Sequence, residues 1–167
     1  AHYIAGTEDI LQTPFAVKAG LGELGRHGQL VTPWGSHVRI SAISTNMPLV
    51  VDRPIDFGLQ DFCKTCKKCA ENCPGKAISD ADEPVNVNGT LRYEFDAIKC
   101  SKYRFTYGCA ACAAVCPFSK PDNLVHSAGR IIGRNSLGAR LLKPLDDFFY
   151  GAEPAARTLD KFAPWRL

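Results

Sequence analysis

Eight cysteines fall into two runs, FCKTCKKCAENCP at residues 62–74 and GCAACAAVCPF at residues 108–118, with Cys100 standing ahead of the second. Cys63, Cys66 and Cys69 are three apart, Cys73 follows four later, and Pro74 comes next. Thiolates spaced so closely suit convergence on one inorganic object. The run C-x2-C-x2-C-x3-C-P is the pattern of two-cluster iron–sulfur proteins, whose fourth cysteine ligates the other cluster. Disulfides need a paired geometry that such crowding disfavours. All-cysteine zinc sites draw on separated pairs. The spacing therefore points to two 4Fe–4S clusters.

The x3 step and the proline turn the chain away before a fourth iron is reached. Cys63, Cys66 and Cys69 are expected to share a cluster with Cys116, the last cysteine before Pro117. Cys73, Cys109 and Cys112 are expected to hold the other. Thr106 stands where a regular second run would carry a further cysteine, so Cys100, the one remaining, is assigned as the fourth ligand. Cluster potentials depend on hydrogen bonds and exposure to water. Ala110, Ala111, Ala113 and Ala114 are small enough to let backbone approach the sulfurs. Lys64, Lys67 and Lys68 read as a solvated face; the sharper alternative is that they offset cluster charge or dock an electron donor.

Several elements must position these runs. Thr13 is expected to cap a helix, with Pro14 in its first position. FAVKAGLGELG continues it, burying Phe15, Ala16, Ala19 and Leu24, until Gly25 and Gly28 end it. QLVT and HVRISAIST read as strands separated by the turn PWGS. NMPLVVDRPIDFG is proline-rich and extended, and residues 59–73 suit a short helix and turn. VNVNGTLRYEF alternates around Asn88-Gly89, a strong hairpin signal. DAIKCSKYRF reads as helical. From 136 to 150, Leu137, Leu141, Leu142, Leu145 and Phe148 recur at helical spacing, with Pro144 expected to kink or divide the helix. PAARTLDKF adds a further turn or two. Phe148, Phe149, Tyr150, Phe162 and Trp165 are expected to close a core. His2, His27, His37 and His126 lack metal-ligand spacing and read as surface or satisfied core residues. The adjacent carboxylates Glu8 and Asp9, and Asp146 and Asp147, have nothing that singles them out for acid–base work.

At 167 residues, the chain is long enough for one domain or two small ones sharing a core. Its net charge of +3 is too weak a bias to argue for nucleic acid or an anionic membrane. No run of about eighteen apolar residues, the length that would span a bilayer, occurs, and no export signal opens the chain. The chain begins without Met and in what reads as mid-fold, which suggests a processed protein or a piece of a larger one.

The segment PFAVKAGLGELGRHGQLVTPWGSHVRISAISTNMPLVVDRPIDFG, followed by FCKTCKKCAENCPGKAI, closely resembles the reductive dehalogenases, and GCAACAAVCPF and LDDFFYG fit the same family. The cysteine runs occur in many ferredoxin-like modules; AGLGELGRHG with VRIS and MPL is more specific. The resemblance implies an α+β fold: the end of a nitroreductase-like corrinoid-binding core (1–58), a ferredoxin-like two 4Fe–4S cluster unit (59–124), and a C-terminal helical tail (125–167) that packs back on the core. It implies a cobalamin-dependent enzyme that removes halide from a small organohalide, with the clusters relaying electrons to cobalt. By the same resemblance Gly22, Gly25, Pro33 and Val38 contact the corrinoid. Arg39 takes the place of the basic residue that favours the anionic form of a proton-donating tyrosine, which would lie upstream of Ala1. Gly6-Thr7-Glu8 departs from the family's Gly-Asn-Asp.

The first half of that core is not in these residues, so upstream sequence or a partner chain is expected to complete the pocket. An electron-donor protein or membrane anchor is expected as a further partner, and nucleic acid is not. Compartment stays open: the outer face of a membrane for a respiratory member, otherwise the cytoplasm. Two other readings stand beside the first. One is a two-cluster electron-transfer subunit of a larger redox complex. The other is an epoxyqueuosine reductase, against which count the weak charge and the fit of GLGELGRHG and DRPIDFG.

Overall fold

Glycines, rather than helix propensity, decide how the chain begins. The computed structural model describes residues 2–4, 11–119, 127, 131, 132 and 136–153. Helix α1 spans Gln12–Lys18 and buries Ala16; Leu11, not Thr13, occupies its cap. It ends well short of Gly25. Gly20 turns the chain at φ +75° against the Arg53 carbonyl, and Gly22 lies so close to Val31 that a Cβ would stand 2.2 Å from its carbonyl oxygen. The sequence expected to prolong the helix instead forms strand β2 (Glu23–Leu24), paired antiparallel with β3 (Leu30–Val31). Close backbone approach through glycine overrode helical periodicity here.

Two further antiparallel pairs complete the sheet content of the described residues. Strand β1 (His2–Ile4) pairs with β4 (Ala42–Ser44), Tyr3 opposite Ile43. The strand expected over HVRISAIST is thus confined to its second half, because only residues 42–44 meet a partner strand among the described residues. Strands β5 (Val85–Val87) and β6 (Thr90–Arg92) form the hairpin. Its turn places Asn88 at φ +51° and Gly89 at φ +78°, the backbone that an Asn-Gly pair adopts most readily.

The cysteine runs sit on short helices. Helix α2 (Leu59–Cys66) buries Leu59, Phe62, Cys63 and Cys66, one face at helical spacing. Lys67 then takes φ +50° and breaks the helix, and α3 (Lys68–Glu71) follows. Helix α4 (Ala97–Tyr107) is capped by Asp96, whose side chain accepts from Lys99 N at 2.9 Å, and stops at left-handed Gly108. Helix α5 (Ala111–Ala114) and a 3-10 turn (Pro117–Ser119) carry the second run.

Helix α6 (Ser136–Tyr150) runs unbroken through Pro144. It packs along α2, with Ala139 and Leu142, both ahead of the proline, in the shared core. The buried stripe is Ala139, Leu142 and Asp146; of the expected face Leu142 is buried, whereas Leu137, Leu141, Leu145 and Phe148 are exposed, Phe148 at 83%. The aromatic residues Phe148, Phe149 and Tyr150 therefore do not close a core. A small residue, Ala139, lets α6 approach α2, and Val31, Phe62, Tyr93 and Phe118 complete the core there. Among the described residues, no helix is long and apolar enough to cross a membrane. Readings placed on Glu8, Asp9, His126, PAARTLDKF, Phe162 and Trp165, on the Gly-Thr-Glu segment, and on the His2 side chain lie outside the described residues.

Candidate metal centres and the groove beside them

The first thiol set is assembled by α2 and α3 on one side and the end of the second run on the other. The α2 N-terminus is fixed by Glu23 of β2, whose carboxylate accepts from Phe57 N at 2.7 Å and Leu59 N at 3.2 Å. Burial pushes the Glu23 carboxyl above its usual range, and these hydrogen bonds oppose that shift. The helix then delivers Cys63 and Cys66 inward. Cys63, Cys66, Cys69 and Cys116 are all buried and line one pocket. Cys116 is a charge neighbour of all three; Cys63 also has Cys66, and Cys69 has both Cys63 and Cys66.

The second set lies nearer the surface. Cys112 has Cys100, Cys109 and Cys73 as charge neighbours, and Cys100 has Cys73 and Cys109. Cys69 also feels Cys112, so the two sets adjoin. All eight thiols are free, with no disulfide among them. Among the described residues no group of His, Cys, Asp or Glu converges tightly enough for a single metal ion.

Burial raises the Cys66 thiol to about 12 and Cys112 to about 11, and pushes up Cys63, Cys69, Cys100 and Cys116 as well. Neighbouring thiols add to the rise in each set. Backbone N–H groups oppose it: Arg26 toward Cys63, Lys68 toward Cys66, Ala113 toward Cys112 and Phe118 toward Cys116. Ala77 N reaches the Cys73 sulfur at 3.3 Å. Amide dipoles aimed at sulfur favour thiolate over thiol. The four buried sulfurs of the first set, three of them so served, form a donor set that fits a 4Fe–4S cubane.

Three features around the first set escape sequence reading. Arg26 is 1% exposed and, among the described residues, forms no ion pair with a carboxylate. Its guanidinium donates to the Cys63 carbonyl (2.8 and 3.0 Å) and to the carbonyls of Ser79 and Ala81 (2.8 Å each), and lies 3.7 Å over the Tyr93 ring. A buried cation thus stands beside the first set, held by carbonyl dipoles and a π-face. Lys68, read as solvated, is instead 1% exposed and meets Asp146 and Asp147 at 2.6 Å each and the Gly151 carbonyl at 2.8 Å. The two carboxylates on α6 thereby acquire a role, holding a lysine of the first cysteine run. Third, His27 is 3% exposed; burial, then His37, lowers its imidazole to about 4. Lys64 and Lys67 do sit at the surface, paired with Glu83 and Asp82.

The second set opens on a groove of about 890 Å³. Val38 and Arg39 form one wall; Arg104, Phe105, Cys109 and Ala110 form another. The small residues Gly108, Ala110 and Ala113 also line the groove, which leaves room for a ligand beside Cys109 of the second thiol set. Of the site residues that the resemblance implies, the corrinoid contact Val38 and the basic residue Arg39 thus meet on this groove. Gly22 packs inside the β2–β3 pair, Gly25 lies against the His27 ring, and Pro33 sits exposed in the turn after β3.

The sequence model of the 4Fe–4S double cluster binding domain matches residues 62–119. A tetrachloroethene reductive dehalogenase of Sulfurospirillum multivorans is 42% identical over 83% of this chain and 30% of its own length. A solved reductive dehalogenase, from which a mechanism of B12-dependent dehalogenation was argued, superposes with a TM-score of 0.76 at 35% identity, over 87% of this chain and 22% of that one. The chain belongs to the reductive dehalogenase family. It spans less than a third of the length of these relatives. An epoxyqueuosine reductase of Lactococcus garvieae is similar to a lesser degree, 32% identical over 70% of this chain and 34% of its own. Within the reductive dehalogenases this chain supplies the double 4Fe–4S domain, set in a mixed helix-and-sheet framework.

Proposed function

We propose that this chain relays single electrons through two 4Fe–4S clusters to a cobalamin in the groove beside Val38 and Arg39, for reductive removal of halide from a small organohalide. Cys63, Cys66, Cys69 and Cys116 hold one cluster; Cys73, Cys100, Cys109 and Cys112 hold the other. The reading rests above all on those two adjoining thiol sets, the second of which borders the groove. Residues 1–58 then contribute one side of a nitroreductase-like core, 59–124 the relay, and 125–167 the segment that returns to the core. Sequence beyond these residues, or a partner chain, completes the pocket.

When bound, the corrinoid supplies the centre at which the carbon–halogen bond breaks, so that R–X with two electrons and one proton gives R–H and X⁻. The electrons come from a donor protein, one at a time. The thiolates bind and orient the relay, and the buried Arg26 offsets part of its charge. Arg39 presents a fixed cation at the groove, where it holds a proton-donating phenol toward its anionic form.

Iron, acid-labile sulfide and cobalt per chain on anaerobically purified protein, with halide release from a chlorinated alkene under a low-potential reductant, test the reading. About eight irons, near-stoichiometric cobalt and halide release are expected. Eight irons without cobalt or halide release would leave the electron-transfer subunit as the better account.

A further inference from the structure

His27 sits on the turn between β2 and β3 with its ring clamped from two sides. A Cβ at position 25 would stand 2.9 Å from its Cε1, so Gly25 is what makes room for the imidazole. On the other side, Nδ1 accepts from Gln29 N at 3.2 Å. A ring nitrogen that accepts carries no proton, so in the neutral ring the proton is on Nε2. Among the described residues, Nε2 is buried without a hydrogen-bond partner.

A buried N–H donor left unmade costs about 1–3 kcal/mol, and native interiors seldom tolerate one. His27 lines the same pocket as Cys63, Cys66, Cys69 and Cys116. No carboxylate, hydroxyl or amide side chain lines that pocket, so sulfur is the only side-chain acceptor it offers. Arg26, the residue before His27, already directs its own backbone N–H to Cys63.

We infer that the Nε2–H of His27 donates a hydrogen bond to a sulfur of the cluster held by Cys63, Cys66, Cys69 and Cys116, and so sets that cluster's potential. The inference rests on the two-cluster reading above. The reduced cluster carries one more negative charge than the oxidised one, so a donor to its sulfur favours the reduced form and raises the potential. The neighbouring cluster, built on Cys73, Cys100, Cys109 and Cys112, does not share the His27 pocket and should not respond.

The test is an EPR-monitored redox titration of the anaerobic holoprotein carrying His27→Leu or His27→Gln, with cluster signals assigned through Cys116→Ser. Leucine removes the donor; glutamine restores an N–H at similar reach. In His27→Leu the first cluster should become roughly tenfold harder to reduce, about 59 mV for a one-electron couple. The second cluster should be unchanged, and His27→Gln should recover most of the shift. An unshifted first cluster in a fully loaded His27→Leu protein overturns the proposal. So does a loaded His27→Gln protein that behaves like the leucine variant. If leucine prevents loading, the wild type still decides. Pulsed EPR of its reduced first cluster should reveal coupling to an imidazole nitrogen, and absence of that coupling overturns the inference. A wild type without two cluster signals would instead defeat the underlying reading, whatever His27 does.

Discussion

Replacing Lys68 by methionine should release α6 from the cysteine unit. The ammonium is fully buried and spends its donors on Asp146 at 2.6 Å and the Gly151 carbonyl at 2.8 Å, with Asp147 at 2.6 Å. Methionine fills similar space but leaves two carboxylates without their cation, one of them at 0% side-chain exposure. Removing one partner of a buried pair costs about 3–5 kcal/mol. At about 1.4 kcal/mol per decade, that is two to nearly four orders of magnitude in the opening of α6. Hydrogen exchange of the α6 amides should register it, with α4, which lies away from the lysine, as the internal control.

A second variant separates charge from packing. Adding Asp146→Leu and Asp147→Asn to Lys68→Met removes the stranded carboxylates and should recover most of the protection, since packed apolar groups commonly replace buried pairs without loss. Alkali offers an independent check. Burial alone would depress the Lys68 pKa, but its bonds to Asp146 and Asp147 outweigh that and raise it above the ordinary 10.5. The contribution is therefore complete below pH 10.5 and fades as pH rises through the elevated value. The docking of α6 should loosen only above that pH, and Lys68→Met should lack the transition. Protection of α6 within tenfold of wild type in Lys68→Met would refute the reasoning.

Further outcomes follow from the same geometry. Cys116→Ser should abolish the EPR signal of the cluster built on Cys63, Cys66 and Cys69 and spare the other, with bound iron falling by about half. Arg39→Ala should lower halide release at least tenfold with iron content unchanged, since Arg39 lies on the groove rather than among the thiols. Gly22→Ala should lower stability by about 1–3 kcal/mol in denaturant titration, because its methyl would meet the Val31 carbonyl at 2.2 Å.

What the sequence discloses divides along range. The short helices of the first run, the helix over DAIKCSKYRF, the Asn88-Gly89 turn and the two-run arrangement of thiols depend on neighbours within a few residues, and each is readable from spacing. The partners of Arg26 are not: its guanidinium bridges Cys63, Ser79 and Ala81, and nothing local marks an arginine as the centre of a core. Lys68 fails the same way, because a lysine among lysines reads as solvent-facing until Asp146 is brought beneath it. In α6 the pattern contains two stripes at helical spacing. Leucine count favours the one that is exposed, and backbone approach through Ala139 decides for the other. The end of α1 is hidden for the same reason, because nothing local marks Gly22 as the point where the backbone approaches Val31.

The interleaving of the thiol sets bears on how the protein is made. On the ligand sets proposed above, each cluster takes cysteines from both runs, so the second set is complete only at residue 112 and the first only at residue 116. A nascent chain exposing only the first run carries four thiols, of which Cys73 belongs elsewhere. An early cubane seated on all four would lock in the wrong partner and leave Cys116 stranded. Insertion must therefore wait for the whole cysteine segment to be synthesised, and the closing of each cluster doubles as the step that pins the two runs together.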